Sequence, residues 1–317
     1  MTVAVVGSAN LDLVYRVERI PGGGETVLAR AYSEHPGGKG NNQVIAAARA
    51  GASTRFIAAI GDDSHGDLLA VTLTAAHVDQ LVRRIDEPTG TALITVDDAG
   101  ENSIVVNPGA NAGLIDLSPT ERAAISDAVY LLMQLEIPVS TVGAAAAVAH
   151  DHGTTVVLNA APMQPLPAEL TDNVDILIVN EHEAMLYAAQ LAPLSMLPHS
   201  LTIDGARDIL AILLTAVPAV VVTLGAAGAV ILTREMGDAP AAHVPAVVVT
   251  PIDTTGAGDT FCGALVAELD TGADLIDAAA FASAAAALAV QQAGAVPSIP
   301  TRERILALVA ATARTAS

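Results

Sequence analysis

Short, unbroken runs of Val, Ile and Leu recur along the chain at residues 3–6, 56–60, 129–135, 155–158, 174–179 and 219–224. Each has strand length and no polar alternation, so each predicts a parallel strand covered on both faces. Between many of them lie alanine-rich stretches of helical length: 42–50, closed by Gly51, then 66–76, 140–151 and 205–216. Strand and helix in alternation predict an α/β fold, a doubly wound, mostly parallel sheet flanked by helices. Two regions break the rhythm. Residues 11–17 with 26–35, and 91–98 with 102–107 joined by a turn at Ala99 and Gly100, predict β-ribbons without helices between them. They are expected to form a small β-sheet lid, built from about 11–36 and 89–108 and inserted in a single domain spanning 1–317. Ala92, Ile94 and Val96, with Ile104 and Val106, place apolar side chains at every second position of the second ribbon. A small sheet with free edges needs a cover, so a homodimer through the lid is expected. Residues 188–203 contain two prolines and no period, and predict no element.

Composition narrows the classes of function. Hydrophobic residues make up 52% of the 317 positions, and charged residues only 15% against roughly 25% in an average globular protein. The chain can therefore bury a large core. Its 34 acidic and 14 basic side chains give a net charge of -20, which repels a phosphate backbone and argues against nucleic acid as a partner. Cys262 is the single cysteine, so no internal disulfide is available, and Phe261 and Gly263 beside it suit a core or helix-packing position. A reducing, cytoplasmic location is expected. The opening Met-Thr-Val-Ala-Val-Val-Gly reads as a first strand and not as a leader. The most membrane-like stretch, 216–232, is divided by Pro218, Gly225 and Gly228 into strand, turn and strand, so no membrane partner is expected.

Two glycine clusters carry candidate chemistry. In Asp253-Thr-Thr-Gly-Ala-Gly-Asp259-Thr-Phe, Gly256 and Gly258 let the backbone turn into a helix start, where free N–H groups and the positive dipole end favour an anion. Asp259 stands there either as a base for an incoming hydroxyl or as a helix cap. The second cluster, Gly37-Gly38-Lys39-Gly40-Asn41-Asn42-Gln43, lacks the spacing of a Walker A loop. Its amides, Lys39 and Asn42 suit several sugar hydroxyls, or else a surface turn with a solvated lysine.

Polar residues also follow the apolar runs: Asn10 and Asp12, Glu136, Asn159, and Asn180 with Glu183. Ligands of open parallel sheets bind beyond the carboxyl ends of strands, although any one of these residues would equally serve as a loop cap. Together they point to a polyol beside a phosphate and a metal. His150 and His152 sit at a helix end without a third ligand and read as solvated. Neither Gly-x-Ser-x-Gly nor a Gly-x-Gly-x-x-Gly after the first strand occurs, so hydrolase and dinucleotide signatures are missing.

With these motifs in this order, the chain resembles the ribokinase-like carbohydrate kinases, from Gly7-Ser8-Ala9-Asn10-Leu11-Asp12 to Gly294-Ala295-Val296-Pro297-Ser298. The resemblance implies an ATP-dependent sugar kinase acting on the 5-hydroxyl of ribose, or on deoxyribose or another small sugar or nucleoside. It implies that Asn10, Asp12, Gly38, Lys39, Asn42 and Glu136 hold the sugar, that Asp259 removes the hydroxyl proton, and that Gly256, Ala257 and Gly258 stabilise the moving phosphoryl group. Asn180 and Glu183 match the element that organises Mg2+ and the ATP phosphates through waters, and Thr223, Gly225 and Gly228 match the nucleotide loop. Asp253, Thr255, Ala289, Gly294 and Ser298 fall where such kinases bind an activating monovalent cation, usually K+, through hard oxygen ligands. A sugar-binding regulator without activity is the rival class, and the intact Gly-Ala-Gly-Asp and Asn-Glu-x-Glu elements argue against it. Aromatic residues are only 2% with no Trp, leaving few rings to stack on a base; Tyr15 and Tyr32 are the exceptions to watch.

Overall fold

The computed structural model describes residues 2–315 apart from 194, 196, 198–200, 202 and 204. In chain order the strands are β1 (Thr2–Val6), β2 (Asn10–Arg16), β3 (Ala31–Gly37), β4 (Ser53–Gly61), β5 (Asp79–Ile85), β6 (Gly90–Val96), β7 (Asn102–Asn107), β8 (Tyr130–Met133), β9 (Thr155–Asn159), β10 (Ile176–Asn180), β11 (Ala219–Thr223), β12 (Ala229–Thr233) and β13 (Ala242–Val244). The larger sheet runs β13-β12-β11-β10-β9-β8-β1-β4-β5, parallel from β11 to β5 and antiparallel at β12 and β13. The expected doubly wound α/β sheet is therefore present.

Both faces of this sheet are covered, which explains the unbroken apolar runs. Val3 and Val5 of β1 join one core with helices Lys39–Arg49, Ser64–Ala75, Ala257–Leu269 and Leu275–Ala289. Ala4 and Val6 join the other, with helices Pro119–Ser126, Val139–Asp151, Glu181–Leu191 and Ala206–Leu213. Each fully buried Val, Leu or Ile contributes about 1.5–3 kcal/mol relative to exposure. From β1 the chain winds through β4 to β5 on one side, and later from β8 through β11 on the other. The winding reverses between β1 and β8, and ligands of such sheets bind beyond the carboxyl ends of the strands at that reversal. Residues 7–10 and 134–136 lie there.

The second sheet has the order β3-β2-β6-β7, with β2 parallel to β6 and the outer pairs antiparallel. Its register aligns Asp12 with Ala92 and Val106, and Val14 with Ile94 and Ile104, so the alternating apolar residues share a face with Asp12. Tyr15 and Tyr32 pair on the opposite face with ring centroids 4.9 Å apart. In the turn after β6, the Asp97 carboxylate accepts from the Ala99 and Glu101 amides.

Several boundaries differ from expectation. The strand expected over 26–35 begins only at Ala31, because β2 ends at Arg16 and the Arg30 N–H to Arg16 carbonyl bond is the last link between them. The run at 129–135 is extended only over Tyr130–Met133. The helix expected at 42–50 starts earlier, at Lys39, because Gly38 takes φ 85° and turns the chain into it. The helix expected at 205–216 ends at Leu213, after which the Thr215 and Ala216 amides bond three residues back and tighten the turn. Of the unassigned stretch 188–203, residues up to Leu191 complete a helix, while 194, 196, 198–200 and 202 lie outside the described residues. Among the described residues, no helix is long and apolar enough to cross a membrane.

Candidate active site

Asp259 lies in the first turn of the helix Ala257–Leu269, only 8% exposed. It caps nothing. Gly256 is the N-cap residue, in the left-handed region at φ 72°, and a Cβ there would stand 2.8 Å from the Ala295 side chain. No side chain caps this helix end, and the Ala257 N–H turns back to the Thr254 carbonyl, which leaves Gly258 and Asp259 to present their amides. The Asp259 carboxylate is held at both oxygens: Asn42 Nδ2 donates to Oδ2 and Gln43 Nε2 to Oδ1, each at 3.0 Å. Both donors come from the second glycine cluster, so that segment is no surface turn; Gly37, Gly38 and residues 40–43 are buried and Lys39 half-buried.

On the β1 side, Glu136 Oε2 accepts from the Ser8 hydroxyl at 2.6 Å and from the Lys39 N–H at 3.0 Å, leaving Oε1 for a ligand. Asn111 Nδ2 donates to Asn10 Oδ1 at 2.7 Å, and Asn111 Oδ1 accepts from the Ala9 N–H at 2.9 Å. The Asn10 carbonyl is thus occupied and its NH2 is the group left to meet a hydroxyl. Lys39 stays charged, favoured first by Asp259 against the cost of burial, then by Glu136 and Glu183.

Asp12 is the most perturbed carboxyl of the group. Burial, then Glu136 and Asp259, push its pKa from 3.8 up to about 7. The folded state therefore holds this proton more tightly than the unfolded chain, and stability present below pH ~4 is lost as pH rises through ~7, by about 4 kcal/mol at most at 1.36 kcal/mol per unit. Urea titrations of the ligand-free protein between pH 4 and 8 are expected to show this loss, and Asp12→Asn to lack it. Equal pH slopes in the two proteins would contradict the placement of Asp12 among these carboxylates.

Two cavities meet at the helix start. A polar one of ≈140 Å³ is lined by Lys39, Asn159, Asn180, Glu183, Thr223, Gly258 and Asp259, among others. A mostly apolar one of ≈350 Å³ lies beside it, walled by Gly225, Gly228, 246–249, Phe261 and the 283–290 segment. They share Thr223 and Gly258. Asn180 and Glu183 form a reciprocal capping box, the Asn180 side chain accepting from the Glu183 amide and Glu183 Oε2 from the Asn180 amide, both at 2.8 Å. The capping role therefore coexists with their position on the cavity wall. Burial pushes the Glu183 carboxyl up, against the Asn180 N–H and Lys39. Cys262 also lines the polar cavity, with burial holding its thiol well above the usual range.

Asp253 joins two loops beside this helix start. Its Oδ1 accepts from the Thr255 N–H at 2.9 Å and its Oδ2 from the Gly294 N–H at 2.8 Å. Burial pushes its carboxyl up, but these bonds outweigh it and the net direction is down. The Ala289 carbonyl accepts from the Gln292 N–H, and the Ser298 hydroxyl donates to the Ala295 carbonyl at 2.7 Å. The exposed His152 ring bonds the Val148 carbonyl, away from all of this.

Ser8, Asn111, Gln43 and Gln134 had no assigned role in the sequence reading. Nothing in their spacing signals one, because their bonds reach about a hundred residues or more along the chain.

The doubly wound sheet, with a polar and an apolar cavity meeting beside a buried carboxylate, suits group transfer to a small polar ligand. The model of the pfkB family carbohydrate kinases matches residues 1–302, and the chain belongs to that family. It is 38% identical to a ribokinase of Staphylococcus aureus over 96% of this chain and 98% of that protein. A bifunctional ribokinase/ribose-5-phosphate isomerase A of Fructilactobacillus sanfranciscensis is 38% identical over 97% of this chain, which spans 56% of that longer protein. The structure of Arabidopsis thaliana ribokinase complexed with ribose and ATP superposes with a TM-score of 0.88, at 33% identity, over 97% of this chain and 98% of that one.

Proposed function

We propose that this chain transfers the γ-phosphoryl group of ATP to the 5-hydroxyl of D-ribose, giving ribose 5-phosphate and ADP. The observation that carries the proposal is the junction of the two cavities at Thr223 and Gly258, one residue from a carboxylate held at both oxygens. The apolar cavity suits an adenine, and the polar one suits phosphates leading towards Asp259. The proteins named as ribokinases among its relatives supply the acceptor.

Asp259 takes the hydroxyl proton as the sugar oxygen bonds to the γ-phosphorus; the bond to the bridging oxygen breaks and ADP leaves with that electron pair. The free amides of Gly258 and Asp259 at the Gly256 turn, with the Lys39 ammonium, offset the charge on the moving group; the Ala257 N–H is held by the Thr254 carbonyl. Asn10, Asp12, Gly38, Asn42 and Glu136 orient the sugar. Asn180 and Glu183, oxygen donors on the phosphate cavity, fit Mg2+ held through waters, which neutralises phosphate charge when bound. A reducing cytoplasm suits the single buried thiol. A coupled ADP-release assay across ribose, deoxyribose, fructose and adenosine tests the choice of acceptor.

We also propose a K+ site at Asp253, Thr255, Ala289, Gly294 and Ser298. Its support is the convergence of the 253–256 and 294–298 loops on one carboxylate, with hard oxygen donors around it. A bound cation would hold the Gly256 turn and so aim the amides at the phosphate. Turnover is expected to be higher in K+ than in Na+ at constant ionic strength; equal rates would remove the cation from the account.

The second sheet is proposed as a lid over the sugar and as a dimer interface. Leu93, Ile104, Val105 and Val106 are all more than 40% exposed, and β7 is an edge strand exposed along its length. Light scattering is expected to give twice the 31.9 kDa chain mass. A monomer at micromolar concentration would refute the interface.

A further inference from the structure

We infer that Gln43, clamped by Gln134 in the space left by Gly7, is the positioning residue that keeps the Asp259 carboxylate aimed. This rests on Asp259 being the base, as proposed above. A carboxylate only accepts hydrogen bonds, so the Gln43 group 3.0 Å from Asp259 Oδ1 must be its NH2. The same Nε2 lies 3.0 Å from Asn159 Oδ1, and that oxygen is fixed as an acceptor because Asn159 Nδ2 donates to the Ile178 carbonyl at 3.2 Å. Both hydrogens of Gln43 are therefore committed, and a flipped amide would set its oxygen against two acceptors. Its Oε1 is left facing Gln134, whose Nε2 donates to it at 2.6 Å.

Gln134 is in turn held by shape. Its Oε1 is buried without a partner and sits where a Cβ on residue 7 would have to be. Gly7, just after β1, thus makes room for the side chain that orients Gln43. Gln43 and Gln134 are both fully buried and line neither cavity, so they act through Asp259 and not on the ligands. A neutral donor at each carboxylate oxygen fixes the plane of the Asp259 carboxylate. The charged and titratable groups facing Asp259 are Lys39 from the Lys39–Arg49 helix, Asp12 from β2, Glu183 from the Glu181–Leu191 helix and Cys262 on its own helix. None of the four is hydrogen-bonded to its carboxylate, which leaves that contact to Asn42 and Gln43.

The test is the pH dependence of kcat in Gln43→Glu and Gln134→Met. Gln43→Glu keeps the shape but sets a second carboxyl against Asp259, so the acid limb is expected to move up by at least about one pH unit. At pH 7, kcat is expected to fall by about tenfold to a hundredfold, with KM for ATP changed less than about twofold. Gln134→Met adds no charge and removes one of the three bonds that hold Gln43; a smaller fall in kcat is expected, again with little change in KM for ATP. It carries the test alone if Gln43→Glu does not fold. A folded Gln134→Met enzyme with wild-type kcat and acid limb would overturn the inference. So would losses shared equally between kcat and KM with no movement of the limb, which is the mark of a structural role only. Failure of the wild-type enzyme to phosphorylate ribose is a separate result, and it would overturn the kinase reading itself.

Discussion

Asp259→Asn is expected to lower kcat by on the order of a hundredfold or more, the typical cost of removing a positioned general base. The amide retains the shape of the side chain but cannot take the hydroxyl proton. It also meets two donors, Asn42 Nδ2 and Gln43 Nε2, and can satisfy only one of them with its single oxygen. One bond to a charged group is lost, at roughly 1.5–3 kcal/mol, while the cost of burying a charge disappears. The fold is therefore expected to survive, with ADP affinity near that of the wild type. Circular dichroism and calorimetric titration with ADP check the first part, and steady-state turnover the second. Turnover close to wild type would remove Asp259 from its role.

Glu136→Ala is expected to raise the KM for ribose by about tenfold to a hundredfold, equivalent to the roughly 1.5–3 kcal/mol of a lost charged hydrogen bond. One of its oxygens fixes the Ser8 hydroxyl and the Lys39 amide; the other is free for the sugar. Removal thus takes away a ligand contact and also loosens the start of the Lys39–Arg49 helix, from which Asn42 and Gln43 reach Asp259. Glu136 lines neither cavity on the nucleotide side, so ADP affinity is expected to change little. Lys39→Ala differs in this respect, because Lys39 lines the polar cavity and its loss is expected to weaken both ligands. Titration of the Glu136 variant with ribose and with ADP separates the two sides. A selective loss of nucleotide affinity would reverse the assignment.

The parts legible in the sequence are those whose physics is local. Strands such as β1 and β11 are buried on both faces, so their sequences are continuous apolar runs. β5, Asp-Gln-Leu-Val-Arg-Arg-Ile, escaped notice because it is a half-exposed edge strand carrying two arginines. The Gly256 turn was legible because a sharp entry into a helix needs a positive φ, which glycine adopts at no steric cost. The surroundings of Asp259 were not: Gln43 and Asn159 are 116 residues apart, and only the packing of a helix against the sheet joins them. The mostly apolar cavity of ≈350 Å³ is hidden for the same reason. Its walls come from the turn after β11, residues 246–249 and one face of the Leu275–Ala289 helix, and each stretch taken alone reads as ordinary core or loop.

The most direct measurement of the central claim is phosphorus NMR of the protein incubated with ATP, Mg2+, K+ and D-ribose. The account predicts ADP and one new phosphomonoester coupled to the C5 protons of ribose, formed by the wild type and at least about a hundredfold more slowly by Asp259→Asn. ATP left intact, hydrolysis to free phosphate, or a phosphoryl group on another ribose carbon would contradict it.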